Sequence, residues 1–326
     1  MYLSLFFTMK TCTYTLATIL MLLLLTTGCG CNQEGPKITD LFAQQDSTPP
    51  KLLSAKAIDT ASITVKFTEE LQSKSIMLKV NGVRNTNYLC VRDTLMLYLP
   101  SPMEIATSTR LEGRVEDQWG NSTRFNVEVW AHNPNRAGIL INEFSTKGSA
   151  NNPDRVELRI TKAGNLAGIT VSNGVGSYIK DRCILGDTQV FAGDFVVIAF
   201  QQGETEMPNT SEYLGGLGSN NGSITVTESP DWESPVLDAV LYSNRTTTTY
   251  SGFGSKETEA CALLLYQGRQ WDSQLAEKAI DSTNSTATRT LCRYNYSDTN
   301  SEQDWYVCDT REASFGGENS TIPYVE

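Results

Sequence analysis

Short runs of alternating apolar and polar residues, each stopped by a turn signal, recur along this chain and restrict it to β architecture. In Ser62-Ile63-Thr64-Val65-Lys66-Phe67 the side chains of Ile63, Val65 and Phe67 share one face, the period of two that marks a half-buried strand. Ile76-Met77-Leu78-Lys79-Val80 runs into Asn81-Gly82, a hairpin signal because both residues tolerate positive φ. Asp93 to Leu99 reads as a further strand stopped by Pro100, and Asp117-Gln118-Trp119-Gly120-Asn121 turns the chain before Phe125 to Trp130. Strands at this spacing, with no convincing amphipathic helix among them, predict a β-sandwich of about 80 residues.

A short linker, Asn133-Pro134-Asn135-Arg136, leads to a second β-rich region. Ile139 to Phe144 opens it. In the strand from Asp154 to Ile160, Val156, Leu158 and Ile160 face inward while Arg155, Glu157 and Arg159 face outward. The two arginines are expected to ion-pair Glu157 and keep it ionised. Leu166 to Val171 and Val236 to Tyr242 supply further strands, and Phe195 to Phe200, apolar throughout, is expected to be buried on both faces. The Gly-, Ser- and Asn-rich span 203–235 reads as long loops around a short strand at Ser223–Thr227, and 243–254 as another loop.

The N-terminus constrains location. The only long apolar run, Thr11 to Thr27, follows the lone Lys10 and ends at Gly28-Cys29-Gly30-Cys31. A basic residue, an apolar stretch and a small-residue cleavage site make a secretory signal, and the run is short for a bilayer span. Translation from Met9 instead of Met1 leaves a signal of about 20 residues. Leu25-Thr26-Thr27-Gly28-Cys29 resembles the lipobox of bacterial lipoproteins, relaxed at Thr26, where Leu is usual. The resemblance implies a signal peptide over residues 1–28 and lipidation of Cys29 by diacylglycerol and an acyl chain, with Cys31 the less fitting alternative. Two lipid signals suffice for stable anchoring. A polar tether over residues 29–47 follows.

The opening Thr48-Pro49-Pro50, the later Val65-Lys66-Phe67-Thr68-Glu69-Glu70-Leu71 and the closing Asp117-Gln118-Trp119-Gly120-Asn121 resemble a bacterial Ig-like domain of the SbsA type, over residues 48–131. The second region, 137–320, resembles a lamin-tail domain, also an Ig-like sandwich. That resemblance is carried by Ile141-Asn142-Glu143-Phe144, Val156-Glu157-Leu158, Leu166-Ala167-Gly168, Ala192-Gly193-Asp194, the Leu237–Tyr242 strand, Asp304-Trp305 and Ser314-Phe315-Gly316-Gly317-Glu318-Asn319. The family usually has Pro-Gly in that tail, where Phe315-Gly316 stands here. Together they imply an all-β chain: two tandem Ig-like β-sandwich domains after the lipoprotein signal and tether.

Chemistry is sparse. Removing the signal takes away Lys10 and no acid, so the net charge moves from −11 to −12, which argues against sequence-independent nucleic-acid binding. Six cysteines follow Cys29 without a CxxC pair, and the lone His132 cannot complete a Cys/His zinc pattern. Cys292 and Cys308, flanking one turn-rich stretch, are the first candidates for a disulfide. Glu143 and Glu157 are candidate paired carboxylates, but Glu143 falls on a motif of a family without its own recognised activity. Asp298 to Asp304 offers oxygen ligands at alternate positions yet lacks the central Gly of a calcium loop, and reads as a capped turn before a buried Trp305. Trp232 reads as an exposed loop residue.

The chain is therefore expected to be a non-enzymatic, lipid-anchored envelope protein that works by binding, adhesion or spacing, without cofactor or metal. Its expected partners are the membrane, through lipid, and another envelope or extracellular protein or a glycan; nucleic acid is not among them. The alternative is an exported metal-dependent hydrolase, a nuclease or phosphoesterase, carrying a lamin-tail domain. Gly30, where lipoproteins retained at the inner membrane carry Asp, points to the outer membrane. The expected outcome for Cys29→Ala is loss of palmitate labelling and release from the membrane fraction; a variant that still labels and sediments with membranes overturns the assignment.

Overall fold

The computed structural model describes residues 46–149, 152–200, 215–231 and 233–326. The signal segment, Cys29, Cys31, most of the tether and Trp232 lie outside the described residues.

The first eight strands are β1 (Leu52–Ala57), β2 (Ser62–Phe67), β3 (Met77–Val80), β4 (Val83–Asn85), β5 (Tyr88–Val91), β6 (Thr94–Tyr98), β7 (Ser108–Glu116) and β8 (Ser122–Trp130). They form two four-stranded sheets, ordered β1-β2-β6-β5 and β4-β3-β7-β8, with antiparallel pairing throughout. Alternation places Ile63, Val65 and Phe67 inward, where they meet Leu95, Leu97, Leu111 and Val129 in one core. Asn81 and Gly82, both at positive φ, make the two-residue turn between β3 and β4. Asp117 holds the later turn by accepting from the amides of Trp119 at 2.8 Å and Asn121 at 2.9 Å.

A second, separate core lies among β9 (Gly138–Ser145), β10 (Asp154–Lys162), β11 (Gly164–Asn165), β12 (Thr170–Asn173), β13 (Asp181–Ile184), β14 (Gln189–Val190), β15 (Phe195–Phe200), β16 (Gly222–Thr227), β17 (Val236–Ser243), β18 (Ile280–Asp281), β19 (Leu291–Arg293) and β20 (Trp305–Val307). Two five-stranded sheets enclose it, β15-β10-β9-β19-β20 and β13-β12-β16-β17-β18, with β11 and β14 as a side ribbon. The chain is thus an all-β protein of sandwich type. Residues 48–326 form one compact unit, within which the Trp130 amide donates to Asp231 at 2.9 Å and Arg136 pairs with Glu228 at 2.5 Å. Among the described residues no helix is long and apolar enough to cross a membrane.

Two expectations fail here. β15 is an edge strand, so only Ile198 and Phe200 are buried and its remaining residues are half-exposed. After the 243–254 loop the chain forms an α-helix, α1 (Lys256–Gln267), which the strand reading passed over. Ser255 caps it by accepting from the Thr258 amide, and Thr258, Cys261, Ala262 and Leu265 are its buried face, at a spacing of three, four and seven residues. α1 packs on β16 and on the turn at Gly176–Tyr178, covering one end of the second sheet's outer face.

The two sheets of the second sandwich are joined by a buried charge pair. Arg293 of β19, 2% exposed, places its Nη2 2.7 Å from Oδ2 of Asp238 on β17. Its Nε donates to the Ile141 carbonyl at 2.6 Å and its Nη1 to the Ser297 carbonyl at 2.8 Å and Asp298 at 3.2 Å. Asp238 also accepts from the Ile141 amide at 2.6 Å and from its neighbour Ala239. Removing one member strands the other as an uncompensated buried charge, so Asp238→Ala should cost about 3–5 kcal/mol in urea denaturation, and Asp238→Leu with Arg293→Met should recover most of it. A single variant as stable as the parent contradicts this role.

Candidate functional site

β9 carries Asn142 and Glu143, and a bulge decides where they point. Glu157 of β10 pairs with Glu143, but the next residue, Leu158, pairs with Ile141, leaving Asn142 as an extra residue in β9. The bulge also resets the inward phase: Ile139 and Ile141 reach the core before it, Phe144 after it. On the far side of β9, Cys292 pairs with Glu143. Glu157, Glu143 and Cys292 therefore run in a row across three strands, on the outer face of the sheet.

The C-terminal segment closes over this row. The Ser314 amide donates to both oxygens of Glu143, at 3.0 and 3.1 Å, and the Ser314 hydroxyl to Oε2 at 2.8 Å. The Thr290 hydroxyl makes a short bond to Oε1. Glu157 accepts a short bond from the Gly316 amide and one of 2.8 Å from Asn142 Nδ2. Gly316 sits at φ 92°, a conformation that favours glycine, and so presents its N–H to the carboxylate. Asn319 clasps Asn142 side chain to side chain and donates to the Arg293 carbonyl at 2.9 Å. Both glutamates are completely buried.

Glu157 lies on the outer face, as the alternation of its strand predicts, but the expected ion pairs with Arg155 and Arg159 do not form. Arg155 stacks on the Phe315 ring at 4.1 Å and donates to Asn152, while Arg159 stacks on the Tyr296 ring at 3.4 Å and reaches Glu318 at 3.9 Å. Neither arginine ion-pairs Glu157. Burial pushes its carboxyl up to about 7, with the Glu143 charge adding to it, against the hydrogen bonds from Asn142 and Gly316. The tail's small polar residues carried the signal for this burial, since they supply the donors that a covered carboxylate requires.

Cys292 and Cys308 also lie on this face. The Cys308 sulfur is 3.1 Å, and the Cys292 sulfur 3.5 Å, from the Thr290 hydroxyl. The structure thus brings the two together as free thiols. The hydrogen bond from Cys292 lowers Cys308 to about 7 and raises Cys292 in turn. The Asp298–Asp304 stretch is a capped turn: Asp304 accepts from the hydroxyls of Ser297 and Thr299 and the amide of Thr299, at 2.7 to 2.9 Å, and leads into buried Trp305.

Chemically, the carboxylate row is a set of acceptors filled by protein donors. A cation or a substrate seated there would meet N–H and O–H groups already aimed at each oxygen. The arrangement can hold the tail and report its protonation. The folded Glu157 carboxyl, near 7, lies above the ordinary 4.5, so its contribution to stability is complete below pH 4.5 and is lost as pH rises through about 7. Across that window the stability of the parent should fall relative to Glu157→Gln in urea titrations; parallel pH courses would rule this out.

Residues 137–214 and 211–307 match the family model TP_1001_2nd, described as a protein second domain. No curated protein matches the sequence. Among solved structures, dimeric latent PorU from Porphyromonas gingivalis is similar at 13% identity and a TM-score of 0.20, over 60% of this chain. The match spans 20% of the PorU chain, about a fifth of its length. The family match takes in the whole second sandwich and more than half of the 326 residues, and the chain belongs to the TP_1001_2nd family.

Proposed function

We propose that this protein is a lipid-anchored envelope module that binds or spaces a partner and does not catalyse a reaction. The observation that carries the reading is the state of the paired carboxylates. Glu143 and Glu157, the strongest catalytic candidates in the sequence, are sealed beneath the tail with their oxygens occupied by Ser314, Gly316, Thr290 and Asn142. General acid–base work needs a carboxyl within reach of a substrate proton. Here the reach is filled.

In this reading the first sandwich is an Ig-like spacer, supported by its Asp117-centred turn, and the second a lamin-tail-like domain, supported by the bulge at Asn142 and the tail bonds to Glu143 and Glu157. Cys29 carries the lipid, and the outer membrane is the anchoring membrane. Cys292 and Cys308, free thiols that both lie against the Thr290 hydroxyl, are in this reading the pair that an oxidising envelope joins.

Crosslinking on intact cells tests the reading. The expected result is a discrete envelope or extracellular partner, with a peptide joining Cys292 to Cys308 in the same sample digested without reductant. Turnover of phosphodiester or glycoside substrates that is lost in Glu143→Gln overturns the reading.

A further inference from the structure

Cys292 and Cys308 are completely buried, and they lie under the tail. On the outer face Cys292 stands beside Glu143 of β9 and opposite Tyr306 of β20. Both neighbours hold the tail: Glu143 accepts from Ser314, and the Tyr306 hydroxyl makes a short bond to the Ser320 carbonyl. The thiols therefore sit between two anchors of residues 314–320. Among the described residues that segment makes no backbone–backbone hydrogen bond to a strand; such pairing resumes only where Asp309 meets Ile322 and Tyr324 meets Val307. It is held instead by side-chain bonds, from or to Glu143, Glu157, Asn319 and Tyr306, and by the stacking of Arg155 on Phe315. A surface segment held in this way opens locally at a lower free energy than the strands beneath it.

The two sulfurs are not equivalent. Thr290 stands opposite Cys308, whose amide donates to the Thr290 carbonyl at 3.0 Å. The Thr290 amide in turn donates to the Cys308 sulfur at 3.2 Å, and the Thr290 hydroxyl lies 3.1 Å from it. Donors aimed at a sulfur favour its thiolate, the form that attacks a disulfide. The bond from Cys292, with those from Thr290, brings Cys308 to about 7 against burial. Cys292 has no backbone donor, and its bond to Cys308, its burial and the adjacent Glu143 charge all push it up. One thiol is thus prepared to attack, and a protonated one stands within hydrogen-bonding reach of it.

We infer that Cys308 and Cys292 are a gated dithiol site for a low-molecular-weight disulfide, on which Cys308 attacks and Cys292 resolves once the tail lifts. The inference rests on the reading of the two cysteines as a disulfide-forming pair, and adds the gate and the order of attack. The Cys308 thiolate bonds to one sulfur of the oxidant, whose S–S bond breaks and releases one thiolate. Cys292 then attacks the Cys308 sulfur, breaking the mixed disulfide and releasing the second thiolate. The protons of the two cysteines end on the two departing thiols, so one protein disulfide forms as one oxidant disulfide is reduced. Lifting a short segment uncovers a small site, which suits a small oxidant.

The test treats the reduced full-length protein with glutathione disulfide at pH 7 and follows the 292 and 308 peptides by mass, with thermal melts to confirm folding. Asn319→Ala and Ser314→Ala, which remove tail bonds, should each speed formation of the Cys292–Cys308 disulfide about tenfold. Lys66→Ala, on β2 of the other sandwich, should react as the parent does. Cys292→Ser should accumulate a mixed disulfide on Cys308. Cys308→Ser should form one on Cys292 about tenfold more slowly, since a higher thiol carries less thiolate. Equal rates in the parent and both tail variants overturn the inference, and so does faster modification of Cys292 than of Cys308. If the joined peptide still forms in those cases, the pair stands as a disulfide without the gate or the order. If no variant joins the two cysteines, the inference and the disulfide-pair reading both fall.

Discussion

Arg293 is a cation with almost no access to water, held in the middle of the second sandwich by partners from both sheets. A lone charge in that position would be prohibitive. Asp238 balances it from β17, the carbonyls of Ile141 and Ser297 take two more of its donors, and the Trp305 ring lies 4.7 Å below the guanidinium. Asp238 is in turn affected: burial raises its carboxyl to about 6, with Arg293 pulling the other way. Two apolar faces can slide over each other at little cost. This pair cannot, because any shift in register leaves at least one buried donor without its acceptor. The pair thereby sets which residues of β9, β17 and β19 lie opposite one another.

The carboxylate row follows from that registration. With Ile141 tied to both Arg293 and Asp238, the bulge at Asn142 turns Asn142 and Glu143 to the outer face while Phe144 returns to the core, against Tyr242 and Trp305 at 5.4 and 5.3 Å between ring centres. Asn319 then bonds to Asn142 and to the Arg293 carbonyl, so the tail is anchored to the backbone of the residue that joins the sheets. The inner bolt and the outer clasp share one strand, β19, and each limits how far the other can move. Protonation of Glu157 acts on the clasp, whereas Asp238 acts on the bolt, and the two carboxyls, on strands of opposite sheets, have separate consequences.

Much of this was legible in residues that obey one rule at a time. Ile63, Val65 and Phe67 alternate and are buried as alternation requires; Asn81-Gly82 and Asp117 to Asn121 turn the chain where their backbone preferences say. The misses come from residues whose environment is set by distant chain. Glu157, Arg155 and Arg159 look like a surface ion cluster locally, and only the tail, about 160 residues away at Gly316, converts one into a buried acid and the others into ring-stacked cations. α1 was legible in Thr258, Cys261, Ala262 and Leu265, but exposed Leu263, Leu264 and Tyr266 fill the intervening positions and blur the stripe. Phe195 to Phe200 read as a central strand because its residues are apolar, and composition alone says nothing about which strand lies at an edge.

The outer faces of the two sheets in the second sandwich meet the same requirement in different ways. A sheet face must be covered or carry groups that water and ligands can satisfy. On the β9 sheet the tail covers the face, and the side chains beneath it are carboxylates whose acceptors match the tail's donors. On the β12 sheet α1 covers only one end, and there the buried helix residues are small or apolar. Beyond α1 the side chains change to Thr170, Ser172, Thr225 and Thr227, of which the first three are buried and the last half-buried. The first face is closed by carboxylates bonded to the tail, and on the second Thr170, Ser172 and Thr225 are themselves buried, so both faces are sealed but by different chemistry.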